Sequence, residues 1–482
     1  MPRLCPITFG TSGWRGIIAD DFTFANVRIA AFALACSLKE KGAQGRGVVV
    51  GYDTRFLSEL FAKEVVGVLT HEGVACFVCQ RPTPTPVIAH EILRRSAAGG
   101  VNITASHNPP IYNGLKFSPE WGGPALPETT QRLEVLAQEI YARDTSISTL
   151  DLEEAATKSL AIPIDPSEAY FATLDTFLEV GVIQRAKPKV LVDVLHGTGA
   201  GHLDHYLTTR GVEVQVRRAN PDPTFEGMAP EPAPEELAET FRIVQEQGFD
   251  VALATDGDAD RYGIVDKGGT FVLPNVFLGL LYHELIAQKG MKGDAARSVA
   301  TSHFLDAVAK LHGQRVIETK VGFKYLGQAL WEGRALLAGE ESAGLSLKGH
   351  VPEKDGILAC LLALEAVCRN AAPLKSLQEN LWQHTGPFFT NRVNLPLEPA
   401  KADALQQILK EEPKEIAGVR VASVSRLDGT KWTLEDGSWI LLRPSGTEPL
   451  VRMYIEARSE EHLGALEAHA RELMGALWTS RP

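Results

Sequence analysis

Long apolar runs are missing from this chain of 482 residues, and none approaches the length of a membrane span. The opening "MPRLCPITFG" lacks the apolar core of a secretory leader, so a cytoplasmic protein is expected. A basic excess is missing too: 48 Lys and Arg stand against 60 Asp and Glu, a net charge of −12. That disfavours nucleic acid and anionic membranes as partners, so any phosphate ligand must be held by local basic groups against the overall field. Cysteine is scarce at six residues, and the Cys76/Cys79 C-x-x-C pair has no second pair spaced to complete a zinc site. With Val74, Phe77 and Val78 around them, these two read as buried strand thiols in a reducing compartment. No G-K-S/T follows the Gly-rich "FGTSGWRG" (Phe9–Gly16), which excludes a Walker loop. "HGTGAGH" (His196–His202) puts a histidine where a dinucleotide loop needs its third glycine.

What is present is an ordinary globular composition, 44% hydrophobic and 22% charged, on a chain too long for one core. Strand and helix patterns alternate. "GVVVGYD" is a β-branched run, and Leu57, Phe61, Val65 and Val68 make a stripe at helical spacing. "GVACFVC", "TPVIAHEILRR" and "GGVNIT" continue as strand, helix and strand, the logic of a parallel sheet. The pattern restarts after the acidic "TLDLEEAATKS", with strands at "KPKVLVDVLHG", "GVEVQVRR" and "FDVALATD". It restarts again after Pro274, with strands at "SVATS", "RVIETK" and "ALLAGEE" and a closing helix "DGILACLLALEAVCRN". The last region differs: Asp436-Gly437 between apolar runs is a hairpin signal and implies antiparallel strands. The expectation is an α/β chain of three βαβ-type mixed-sheet domains and a C-terminal α+β domain around a central cleft. The boundaries fall at 1–155, 156–267, 268–375 and 376–482.

Each of the three units has one strand running straight into a loop of chemically loaded residues, where open α/β sheets bind ligands. The first is "NITASHNPP", with Ser106 and His107. On its own the loop reads equally as a turn, since Asn and Pro favour turns and Ser often bonds nearby backbone. The second, "DGDADR", carries Asp256, Asp258 and Asp260 at alternate positions. These are either the wet face of a strand or, once Gly257 and Ala259 let the chain curl, ligands for a hard cation such as Mg²⁺. An EF-hand is excluded, because its sixth and twelfth positions hold Arg261 and Lys267. The third is "LLAGEESAG". After the hairpin, "RPSGTEP" offers Arg443, Ser445, Gly446 and Thr447, a guanidinium, hydroxyls and backbone N–H groups suited to phosphate; the alternative is a plain turn. Arg15 faces a phosphate or sits on a flexible arm. Lys116, ten residues after Ser106, is a surface lysine or a proton relay if its pKa is lowered.

Taken in order, GTSGWRG, TASHNPP, DGDADR, GEESAG and RPSGTEP resemble the α-D-phosphohexomutase superfamily over essentially the whole chain. The resemblance implies that Ser106 is a phosphoserine flanked by His107. It implies that Asp256, Asp258 and Asp260 bind Mg²⁺ together with a phosphoserine oxygen. Glu340 and Ser342 would read sugar hydroxyls, and Lys324 of "VGFKYL" would contact substrate. Arg443, Ser445, Gly446 and Thr447 would hold the non-reacting phosphate, and Arg15 and Lys116 would serve proton transfer and charge stabilisation. The partner implied is a hexose phosphate, with glucose 1,6-bisphosphate as activator, acting on a monomer or small homo-oligomer. The "GEES" loop resembles phosphoglucomutases, so glucose 1-phosphate is the favoured substrate. A phosphomannomutase or dual-specificity enzyme is the alternative. A non-catalytic sugar-phosphate binder is a reading of another class, and it would be expected to lose Ser106 or one Asp.

Overall fold

The computed structural model describes residues 5–10, 13–143, 146–398, 401–445 and 450–479. It is a mixed α/β structure built on four sheets. In the first, strands run in the order 9–10, 13–17, 112–119, 99–103, 48–52, 76–79 and 161–164. The β-branched "VVVGY" forms its buried parallel middle, flanked by parallel Gly99–Ile103 and Cys76–Cys79. The second sheet orders 270–271, 262–266, 251–255, 190–193 and 214–217; the third orders 316–319, 295–298, 337–340 and 344–347. The fourth is wholly antiparallel, with Thr430–Leu434 and Trp439–Pro444 paired across the Asp436-Gly437 turn. No single helix among the described residues is long and apolar enough to cross a membrane.

The sheets are mixed, as expected, and three details go beyond the sequence reading. First, each α/β sheet takes its antiparallel strand immediately after its loaded loop. Gly99–Ile103 pairs with Tyr112–Pro119, Val251–Thr255 with Tyr262–Asp266, and Leu337–Glu340 with Gly344–Leu347. The three loops are therefore hairpin tips. Second, the expected boundary at 155 falls inside a helix, Leu152–Thr157, and strand Ala161–Ile164 beyond it pairs with Cys76–Cys79 in the first sheet. The acidic stretch is a capped helix, with Asp151 accepting from the Glu153 N–H, and not a linker. Third, the strand expected at "SVATS" is Ala295–Ser298. Val299 and Ala300 turn away and pack on Trp439, Leu441 and Tyr454 of the fourth sheet, so their burial comes from a neighbouring domain.

The helix Gly356–Asn370 is capped by Asp355, which accepts from the Leu358 N–H at 2.8 Å. It is apolar on nearly every face, which an ordinary surface helix is not. Its surroundings explain this. It packs on strands 251–255 and 262–266 of the second sheet and on 344–347 of the third, so it belongs to both units. One continuous core runs through them. Truncating Leu358, which is fully buried, to Ala should cost about 2–5 kcal/mol. Denaturation followed by far-UV circular dichroism and by proteolysis should show the second and third domains losing stability together.

Candidate active site

The first loop sits at the tip of the 99–103/112–119 hairpin. Ser106 adopts a left-handed backbone, φ +54°, which costs a residue with a Cβ roughly 1–3 kcal/mol. Its own N–H donates to Thr104 Oγ1 at 2.8 Å. Its hydroxyl donates to Asp256 Oδ2 at 2.8 Å, which ties the first domain to the second. The approach is close: a Cβ built on Gly257 would lie 2.6 Å from the Ser106 carbonyl oxygen. Glycine is required there because backbone fills the space.

The second loop curls, with Ala259 at φ +55° and its N–H donating to the Asp256 carbonyl at 3.1 Å. The curl turns alternate residues inward, and Asp256, Asp258 and Asp260 bring ligand oxygens within 4.8 Å of one another. All three are fully buried. Three like charges so placed repel strongly. Basic groups offset them. Lys116 donates to Asp258 at 2.5 Å and Asp260 at 2.8 Å, and Lys354 donates to Asp260 at 2.7 Å. Thr85 donates to Asp258. Burial works against the Asp260 carboxylate, but Lys116 and Lys354 outweigh it and hold it well below the usual range. Asp256 moves the other way, raised by burial and by Asp260 and Asp258. Asp258 Oδ1 and Asp260 Oδ1 are buried without a hydrogen-bond partner. Two orphaned carboxylate oxygens in an all-oxygen set fit a hard divalent cation.

Burial pulls the Lys116 pKa down, while Asp258 and Asp260, the two carboxylates it bonds, push it above the ordinary lysine value. It arrives there because it lies on the returning strand, directly across from Asn102. Arg15 donates to Asn108 Oδ1 at 2.5 Å and so reaches the serine loop from strand Gly13–Ile17. His107 sits 3.4 Å from Glu231. Burial and Arg261 push its pKa to about 4, leaving the ring neutral.

Glu340 and Ser342 lie at the third hairpin, with Lys324 nearby on the helix after Gly322. Glu340 ends strand Leu337–Glu340, is 5% exposed, and accepts from the Gly322 N–H at 2.8 Å. Two residues on from Gly322, half-buried Lys324 lies in the first turn of helix Phe323–Trp331. Ser342 lines a cavity of about 340 Å³ with Arg261 and Glu231. Arg261 connects the two regions: its N–H donates to Asp256 at 3.0 Å and its guanidinium to Glu231 at 2.9 Å. In the fourth domain Arg443 donates to Asp428, which also accepts from the Val321 N–H, so it is held beside the Gly322 turn. The Ser445 N–H donates to the Leu450 carbonyl at 2.8 Å. Gly446 and Thr447 lie outside the described residues. Sequence reasoning missed Arg55, Thr85, Glu231 and Lys354. Of these only Arg55, just past strand Val48–Tyr52, carries the signal used for the other loops.

Four domain families described as phosphoglucomutase/phosphomannomutase match this chain. Alpha/beta/alpha domain I covers residues 6–144, II covers 168–269, III covers 274–385, and the C-terminal domain covers 393–473. A phosphoglucomutase/phosphomannomutase of Thermococcus kodakarensis is 31% identical over 94% of this chain and 95% of its own. A protein of Methanosphaera stadtmanae assigned as a phosphoglucosamine mutase is 30% identical over 97% and 98%. A crystal structure described as a phosphomannomutase of Thermus thermophilus is 35% identical, with a TM-score of 0.83 over 98% of this chain and 100% of that one. Fold and site together define a phosphohexomutase. The chain belongs to the phosphoglucomutase/phosphomannomutase family of the α-D-phosphohexomutase superfamily, enzymes that move a phosphoryl group within a hexose phosphate.

Two consequences can be measured. Asp258→Asn should raise the divalent-cation concentration needed for half-activation by at least about tenfold, since even groups behind metal ligands contribute that much; a metal titration of activity checks it. Burial and Glu341 raise the Glu340 pKa to about 7, whereas an unfolded Glu ionises near about 4.3. The folded state then binds the extra proton between those values, so this group's contribution to stability falls as pH rises through that window. Glu340→Gln keeps an acceptor for Gly322 but no charge. Its melting temperature relative to wild type should be higher at pH 8 than at pH 5.

Proposed function

We propose that the chain is a phosphoglucomutase, interconverting glucose 1-phosphate and glucose 6-phosphate through phosphorylated Ser106 and glucose 1,6-bisphosphate. The observation that carries this reading is the Ser106 hydroxyl, held in a left-handed tip and bonded at 2.8 Å to a buried acidic triad. C1 and C6 of one sugar are too far apart for direct transfer. A covalent relay splits the task into two in-line displacements. In the first, the phosphorus–Oγ bond of the phosphoserine breaks as a new bond forms to the free sugar hydroxyl, whose proton is taken up, in net, by the freed Ser106 Oγ. In the second, the other sugar-oxygen–phosphorus bond of the bisphosphate breaks as Ser106 Oγ bonds that phosphorus, and the serine hydroxyl proton passes, in net, to the released sugar oxygen. Mg²⁺, held by Asp256, Asp258, Asp260 and a phosphoserine oxygen, supplies charge neutralisation at the transferring group when bound.

The remaining parts are the chain's own. Lys116 and Arg15 place positive charge beside the serine loop, and His107, the next residue after Ser106, is turned toward Glu231. The sugar must bind in two orientations. A carboxyl poised near neutrality, as Glu340 is, both accepts and donates hydrogen bonds, which suits hydroxyls that exchange places. Lys324 and Ser342 complete that face, and Arg443, Ser445, Gly446 and Thr447 hold the phosphate that is not reacting. Glucose 1,6-bisphosphate would prime the serine. A dual phosphomannomutase/phosphoglucomutase is the second reading, favoured by the two-substrate name of the Thermococcus relative.

One coupled assay with Mg²⁺ and trace glucose 1,6-bisphosphate, comparing glucose 1-phosphate with mannose 1-phosphate at equal concentration, tests the assignment. A strong glucose preference is expected, and comparable rates would establish the dual enzyme. Ser106→Ala should abolish turnover while leaving the melting temperature within a few degrees of wild type. Full activity in that variant would remove the relay.

A further inference from the structure

Arg55 belongs to no group of residues described above as meeting sugar, phosphate or metal. It follows strand Val48–Tyr52 in the first domain, and its side chain is completely buried. Its guanidinium spends both terminal nitrogens on one target. Nη2 donates to the carbonyls of Ser106 at 2.7 Å and Asn108 at 2.5 Å. Nη1 donates to the carbonyls of Pro109 at 2.9 Å and Tyr112 at 3.1 Å. Four carbonyls of one short loop thus converge on one planar cation. The Pro109 carbonyl also accepts from the Tyr112 N–H at 3.0 Å, and Tyr112 opens the returning strand, so the cation ties the loop to its own exit.

The cation is itself fixed from two sides. Asp53 lies 3.3 Å from Nε, and the Asp53 carboxylate also accepts from the Arg55 N–H at 2.9 Å and from Ser58 Oγ at 2.7 Å. On the other side the guanidinium lies over the ring of Phe225, 5.0 Å from its centroid. Phe225 is buried and comes from the second domain, the one that carries the acidic triad. The clamp therefore references the serine loop to both domains whose groups meet at Ser106 Oγ.

Resting on the phosphoserine reading, we infer that Arg55 is a positioning residue for phosphoryl transfer: its four-carbonyl clamp holds Ser106 in the left-handed conformation that aims Oγ at the acidic triad. It touches no reacting atom and acts through the backbone of Ser106. A lysine at this place keeps the charge but has one ammonium where the guanidinium has a planar fork, so it cannot span four carbonyls. Misplacing a reacting atom by about 1 Å costs on the order of 100-fold in rate.

The test compares wild type, Arg55→Lys, Arg55→Ala and Phe225→Leu as full-length proteins. Arg55→Lys should lower kcat about 100-fold with KM changed less than about threefold. Guanidinium chloride at low millimolar concentration should restore part of the kcat of Arg55→Ala and leave Arg55→Lys unmoved. Phe225→Leu, which loosens the clamp from the second domain, should lower kcat severalfold without altering KM. Intact mass of the wild type reports on phosphoserine separately: absence of the phosphoryl adduct after incubation with glucose 1,6-bisphosphate would refute the relay, whatever Arg55 does. With that adduct present, wild-type kcat in Arg55→Lys would overturn the inference. So would a loss of kcat, KM and melting temperature together with no response to guanidinium. If Arg55→Ala does not fold, the kcat-against-KM split in Arg55→Lys and Phe225→Leu decides alone.

Discussion

Three buried carboxylates in one turn are the constraint around which this molecule is arranged. Asp256, Asp258 and Asp260 are fully buried and repel one another, and such an arrangement survives only if cations meet it. Those cations come from different places in the chain. Lys116 is delivered by the first domain and Lys354 by the third, with Arg261 on the loop itself. A second domain folded alone would hold its acidic loop without the two lysines. Domain assembly is thus an electrostatic requirement of the acidic loop as well as a matter of apolar burial.

The helix Gly356–Asn370 serves the same end mechanically. It begins right after Lys354, and its first residue lies against the acidic loop, where the Gly356 N–H donates to the Ala259 carbonyl at 3.1 Å. A Cβ on Gly356 would collide with the Arg261 carbonyl. The apolar body of the helix then runs between two sheets, so the lysine that reaches Asp260 is anchored in the thickest part of the core.

Much of this was legible from residues alone, and the limits have physical causes. The five loaded motifs stood out because their chemistry is local: an arginine among glycines, a serine, alternating aspartates, a paired glutamate, an arginine with hydroxyls. Strand Gly99–Ile103 and helix Thr85–Arg95 were readable from period and composition. What period could not show was direction. Tyr112–Pro119 has the composition of any strand, and only its antiparallel return places Lys116 opposite Asn102. The same blindness hid the partners of Lys116, carboxylates more than a hundred residues away. "SVATS" misled because β-branched burial was supplied by the fourth domain and not by a sheet. Arg55 was passed over because four of its partners are backbone carbonyls more than fifty residues away, and a carbonyl has no residue type to mark it in sequence.

The three hairpins share one geometry yet none repeats another's residues: the first presents Ser106, the second the three aspartates, the third Glu340. The bond from Ser106 to Asp256 exists only where two separately formed hairpin tips meet, so a chain whose first or second domain is unfolded cannot make it.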